Sequence, residues 1–225
     1  MNFTLQSTQR VKGLVFDLDG TLIDSARDIM TAANRLLADH SAEPIDLEQT
    51  IRFIGHGIPT LVRRVLDHRG IGHDEAILAE QVRIFSGYYG PAATETTHPY
   101  PGVMEMLAQL AAREFGLAIC TNKAEAATKL ICDTLGLTPY FPVIIGGDTL
   151  AVRKPDPAPL LLAIERLGVA VDECLYVGDS ETDYATARNA GVRFAYFEGG
   201  YQRRDIADFA PDYRLAATSE ITGLV

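Results

Sequence analysis

Two aspartates one residue apart, Asp17 and Asp19, follow directly on the apolar run Leu14-Val15-Phe16 and precede Gly20-Thr21-Leu22. In an extended chain such residues point to the same side, where their carboxylates would repel. A divalent cation, a phosphoryl group, or both would reward the arrangement. Groups of compatible chemistry follow later apolar runs. Thr121-Asn122-Lys123 comes after residues 117–120, and Arg153-Lys154-Pro155-Asp156-Pro157 comes after residues 143–145. Gly178-Asp179-Ser180-Glu181-Thr182-Asp183 comes after residues 175–177. Singly, Asp179 or Thr121 reads equally well as a helix N-cap, and Lys154 as a solvated surface lysine. Repeated after successive strands, they would converge on one edge of a sheet.

The elements needed for that convergence are visible. From about Pro101 onward, short apolar runs alternate with helical patterns such as Val103, Met106, Leu107, Leu110 and Ala111, or Leu160, Leu161, Ile164 and Leu167. With residues 14–16 as the first strand, this is a βαβ series and predicts a largely parallel sheet covered on both faces. Residues 213–215 would add a weaker last strand. The span 24–99 breaks the rhythm. It carries helical stripes (Ile58, Leu61, Val62, Val65 and Leu66, with Pro59 in the first turn; then Leu78, Val82, Phe85 and Tyr89) and no convincing strand. The expected organisation is an α/β core of residues 1–23 and 100–225 with a Rossmann-like parallel sheet, interrupted by a helical cap of residues 24–99. Pro91, Pro99 and Pro101 would mark the return linker.

A net charge of −10 over 225 residues argues against nucleic acid or an anionic membrane surface as partner. Cys120, Cys132 and Cys174 lie in apolar stretches without metal-ligand or CxxC spacing, and read as reduced core residues. Residues 1–10 lack an apolar targeting segment and no run approaches membrane-spanning length, so a cytoplasmic protein is expected, as monomer or homodimer.

The set Asp17-x-Asp19-Gly20-Thr21, Thr121-Asn122, Lys154-Pro155 and Gly178-Asp179-x-x-x-Asp183 resembles the four motifs of the haloacid dehalogenase superfamily, and the insertion resembles its helical cap class. Phe53-Ile54-Gly55-His56-Gly57, Gly146-Gly147-Asp148-Thr149-Leu150 and residues 153–161 look most like the phosphoglycolate phosphatases, although many of those carry Asn where His56 stands. The resemblance implies that Asp17 is the nucleophile, forming an aspartyl-phosphate, and that Asp19 is the general acid and base. It implies Mg²⁺ held by the Asp17 side chain, the Asp19 backbone carbonyl and the Asp179 side chain, with Asp183 orienting that site from behind. Thr121, Lys154 and backbone N–H groups around Leu18 and Asn122 would hold the phosphoryl group. The cap would choose a small phosphorylated metabolite. His56 could contribute there, and one of Arg52, Arg63 and Arg64 would meet a substrate carboxylate, unless these are a flexible turn and solvated charges.

Competing readings are weaker. Dehalogenases and phosphonatases look like this motif without its second aspartate, and phosphonatases need a cap lysine, whereas no lysine occurs between Lys12 and Lys123. A sugar-phosphate mutase would resemble Arg-Gly-x-x-Arg, but Arg69-Gly70 is followed by Ile71-Gly72-His73. A phospho-accepting receiver protein would place its acceptor on a later strand. Pyrophosphate, nucleoside monophosphates and amino-sugar phosphates remain alternative substrates to 2-phosphoglycolate.

Overall fold

The apolar run before Asp17 forms β1 (Gly13–Phe16), and all four of its residues are buried. A strand with both faces covered must be apolar throughout, which is what the run supplies. The computed structural model describes residues 10–201 and 208–225. After β1 come β2 (Ile23–Asp24), α1 (Ala26–Asp39), α2 (Leu47–Phe53), α3 (Ile58–His68), α4 (Glu75–Ala92) and β3 (His98–Pro99). Next are α5 (Val103–Ala112), β4 (Gly116–Cys120), α6 (Glu125–Thr134), β5 (Val143–Ile145) and α7 (Ala158–Leu167). The chain continues through β6 (Cys174–Gly178), α8 (Glu181–Ala190), β7 (Arg193–Phe197) and β8 (Tyr213–Leu215).

Six strands form one parallel sheet in the order β5-β4-β1-β6-β7-β8. This is the expected α/β, Rossmann-like architecture, and β1 lies inside it. Alternation divides the sheet between two cores. Leu14, Phe16, Ile119 and Val177 pack on one face with Val103, Met106 and Ile131, while Val15, Cys120 and Tyr176 pack on the other with Leu160, Ile164 and Ala187. The three cysteines are free and buried, and burial pushes their thiols up to about 12, so they act as small apolar groups.

Between β2 and β3 the regular structure is helical, with α4 packed on α1 and α3. Two features differ from the expectation. Pro91 sits in the last turn of α4 rather than in a linker, since a proline there costs one internal hydrogen bond near an end that frays anyway. The two ends of the helical span also pair as antiparallel strands, Ile23 with Pro99 and Asp24 with His98. Strands of two residues are too short for periodicity to reveal. Beside them the buried Asp28 carboxylate accepts from both N–H groups and both hydroxyls of Thr96 and Thr97, at 2.6–3.1 Å. Burial opposes its charge, but those donors outweigh it and hold the carboxyl below its usual range. No described helix is long and apolar enough to cross a membrane.

Candidate active site

Strand register brings the candidate residues together. Phe16 pairs with Ile119 on one side and Val177 on the other, so Asp17 leaves the sheet level with Cys120 and Gly178. Thr121 and Asp179 follow on the neighbouring strands. The turn after Asp17 is fixed by the Leu18 carbonyl, which accepts from the N–H groups of Thr21, Leu22 and Ile23. Gly20 takes φ +91° there, and a Cβ on it would lie 2.5 Å from Asp179 Oδ2. Gly200 approaches Asp179 from another direction, and a Cβ there would meet the Asp179 Cβ at 2.2 Å. Both glycines are needed because three chain segments close around one carboxylate.

Asp17, Asp179 and Asp183 each offer a carboxylate oxygen within 4.8 Å of the others, all buried. Lys154, 4% exposed, stands among them, with Nζ 2.9 Å from Asp17 Oδ1 and 2.6 Å from Asp183 Oδ1. The Asp17 contact is one of charge, since Oδ1 accepts no aligned hydrogen bond. Asp183 is saturated: Lys154 and the Tyr176 hydroxyl donate to Oδ1, and the Ser180 N–H and hydroxyl donate to Oδ2. Asp179 accepts from the Thr21 hydroxyl at 2.9 Å and the Tyr201 N–H at 2.6 Å, keeping lone pairs to spare.

The electrostatics follow from three carboxylates facing one lysine. Burial, then the Asp183 charge, push Asp17 up to about 7 against the opposing pull of Lys154. Asp179 is driven well above the carboxylate range by burial and by both neighbours. Asp183 goes the other way. Burial opposes its ionisation, but Lys154 and its hydrogen-bond donors hold it below the usual range. This excess of buried negative charge on hard oxygens, with Asp17 Oδ1 unsatisfied, fits a small divalent cation. Asp17 and Asp179 have the free lone pairs to hold it, and the saturated Asp183 fits an orienting position.

The Asp19 side chain faces a different set of partners. Both its oxygens accept from Lys123 Nζ at 2.8 Å, and Oδ1 also accepts from the Ser25 hydroxyl at 2.5 Å. The sequence reading gave Lys123 no role, although it directly follows Thr121-Asn122. Ser25 carried no signal because a lone serine six residues after Asp19 fits no motif, and Tyr201 because its hydroxyl's partners lie far along the chain. The Tyr201 hydroxyl accepts from the N–H groups of Ser25 and Ala26 and donates to Asp24, tying the Asp179 side of the site to the start of α1.

Thr121 is buried beside Asp17, and its hydroxyl oxygen accepts from the Lys123 N–H at 3.2 Å, so its proton is left for a ligand. The Asn122 amide donates to the carbonyls of Gly55 and Lys154, each at 3.0 Å, which pins the loop before α3 against the sheet edge. Two cavities lie under that loop and share Asp17 and Asp19. A polar one of about 220 Å³ is bordered by Arg52, His56, Arg64, Asp179, Thr182 and Tyr201. Burial, and then the Arg64 charge, depress the His56 pKa, so its imidazole is neutral at neutral pH. The other cavity, of about 50 Å³, adds apolar walls from Ile29, Ile58, Leu61 and Phe85. Arg63 borders neither; it pairs with Glu75 at 3.0 Å on the exposed side of α3.

Residues 14–197 match the family model described as haloacid dehalogenase-like hydrolase. A phosphoglycolate phosphatase of Cereibacter sphaeroides is 46% identical over 196 residues, covering 87% of this chain and 89% of its own. One of Rhodospirillum rubrum is 41% identical over 200 residues, covering 87% and 83%. Among solved structures, a predicted phosphoglycolate phosphatase of Haemophilus somnus superposes with a TM-score of 0.90 at 29% identity, over 97% of this chain and 99% of that one.

Proposed function

The chain belongs to the haloacid dehalogenase-like hydrolases and is a phosphoric monoester hydrolase, and from that premise we propose that it converts 2-phosphoglycolate to glycolate and phosphate through an aspartyl-phosphate on Asp17, with Mg²⁺ as cofactor. The observation that carries the reading is the separation of the two aspartates. Asp17 belongs to the carboxylate and Lys154 cluster, whereas the Asp19 side chain is held apart by Lys123 and Ser25. One carboxylate is thereby suited to bond formation and the other to proton transfer. The name shared by the curated relatives supports the substrate.

Bound Mg²⁺, on the carboxylates of Asp17 and Asp179 and the Asp19 carbonyl, would offset the charge between an anionic nucleophile and an anionic phosphate. An Asp17 oxygen forms a bond to phosphorus as the bond to the ester oxygen breaks. Asp19 delivers its proton to the departing alkoxide and then takes one from the water that opens the acyl phosphate. The Thr121 hydroxyl donates to a phosphoryl oxygen, backbone N–H groups around Leu18 and Asn122 assist, and Lys154 offsets charge on Asp17. The helical span 24–99 serves as the substrate-selecting cap and excludes stray water. A phosphate-release panel of 2-phosphoglycolate, pyrophosphate, nucleoside monophosphates and amino-sugar phosphates tests the reading. The expected result is the highest kcat/KM for 2-phosphoglycolate and its loss in excess chelator. A tenfold preference for another compound would refute the substrate.

The buried carboxylates also make stability depend on pH and metal. A folded-state pKa of about 7 for Asp17, against 3.8 for an unperturbed carboxyl, means that folding binds a proton between those values. That stabilisation is complete below the unfolded pKa and is lost as pH rises through the folded one, on the order of 4 kcal/mol at most. Asp179 shifts in the same direction. In chelator the melting temperature should therefore fall between pH 5 and pH 8, and millimolar Mg²⁺ should reverse most of the fall at pH 8. Identical melting curves with and without Mg²⁺ at pH 8 would count against a cation on these residues.

A further inference from the structure

Tyr89 takes part in none of these steps, and Lys123 has so far only oriented Asp19. Both border the smaller cavity, where Ile29, Ile58, Leu61 and Phe85 meet the carboxylates of Asp17 and Asp19. The Tyr89 hydroxyl projects from α4 and is buried within interaction range of the Lys123 ammonium, without an aligned hydrogen bond. Lys123, 7% exposed, lies with Nζ 5.0 Å from the Tyr89 ring centroid. A buried hydroxyl without an aligned hydrogen bond is unfavourable, and beside a lysine it is suited to a polar group that arrives with a ligand. We propose that Lys123 and Tyr89 form the subsite for the leaving group's carboxylate and select small 2-phosphooxy acids of two or three carbons; this deepens the phosphatase reading above and rests on it.

Three features support the assignment. An ammonium has three donors; Asp19 accepts two, at 2.8 Å each, and the third lies on the Tyr89 side, where an arriving carboxylate would be a stronger acceptor than the phenol. Asp19 must reach the ester oxygen, and in a 2-phosphooxy acid the carboxyl carbon is only two bonds from that oxygen. A cation clasping Asp19 is therefore placed for the carboxylate as well. The cavity, of about 50 Å³, is the smaller of the two that share Asp17 and Asp19, and its size suits a methylene carboxylate.

The arginines that the sequence offered for this task are engaged elsewhere. Arg52 pairs with Glu48, Arg63 with Glu75, and Arg64 Nη1 donates to the Phe53 carbonyl at 3.1 Å. Arg52 and Arg64 border the larger cavity, which Lys123 and Tyr89 do not line.

The test compares kcat/KM for 2-phosphoglycolate with that for ethyl phosphate, which replaces the carboxylate by a methyl group. Wild type should prefer the acid by at least about a hundredfold. Tyr89→Phe, which keeps the ring, should cut that ratio about tenfold, mainly through KM. Lys123→Met should cut it further and also lower kcat on both esters, because Asp19 loses its partner. If Tyr89→Phe and Lys123→Met both keep the wild-type ratio within twofold, or if wild type cleaves both esters equally well, the subsite is refuted while phosphatase activity stands. If wild type cleaves neither ester, the substrate reading itself has failed.

Discussion

Asp17→Asn should lower kcat on 2-phosphoglycolate by about 10⁴-fold or more, yet melt at or above the wild-type temperature in chelator at pH 8. The activity loss follows from removing the oxygen nucleophile, for which no neighbour can substitute: Asp179 and Asp183 are fixed by Thr21, Tyr201, Ser180, Tyr176 and Lys154. The stability gain follows from charge. Wild-type Asp17 is a buried carboxyl pushed up to about 7 by burial and by Asp183, so ionising it above that pH works against folding. An amide of nearly the same shape removes that opposition. Added Mg²⁺ should raise the melting temperature of the variant less than that of wild type. A variant that retains a tenth of wild-type turnover would overturn the nucleophile assignment. One that melts well below wild type at pH 8 would overturn the electrostatic account.

The residues that converge here were legible because a parallel sheet imposes a simple rule. Residues just past the carboxyl ends of neighbouring strands share one edge, and each of these strands is a recognisable apolar run ended by polar residues. The register of Phe16 with Ile119 and Val177 turns that rule into contact distances. Rotation about side-chain bonds is not encoded in spacing. It separates Asp17, facing Lys154, from Asp19, facing Lys123, although the two are only two residues apart. Nor does a stripe on α3 reveal that Arg63 faces Glu75 while Arg64 borders a cavity. Tyr201 was hidden for a related reason. Its role comes from a hydroxyl reaching Ser25 and Ala26 across about 175 residues, and local periodicity carries no information about such closures. The pairing of β2 with β3 is likewise a consequence of where the two ends of the helical span meet.

Lys154→Met should lose activity as Asp17→Asn does, but with the opposite effect on stability. Methionine fills much of the lysine's volume while removing the charge that faces Asp17 and Asp183 and the hydrogen bond to the Tyr176 hydroxyl at 2.8 Å. Leaving a buried charge without its partner typically costs ~3–5 kcal/mol, or roughly 6–20 °C in melting temperature for a chain of this size. In chelator at pH 8 the variant should melt lower by about that amount. Lowering the pH should recover much of the loss, because protonating Asp17 and Asp183 removes the charges that Lys154 had balanced. Turnover should fall by about 10²–10³-fold, the usual effect of deleting one positioned charge from a site of this kind. The double variant Asp17→Asn with Lys154→Met closes a thermodynamic cycle. With one carboxylate already neutral, the lysine has less to balance, so its loss should destabilise that background distinctly less than wild type. Equal losses in the two backgrounds would show that Lys154 stabilises the fold through Asp183 and Tyr176 alone, with no energetic coupling to Asp17.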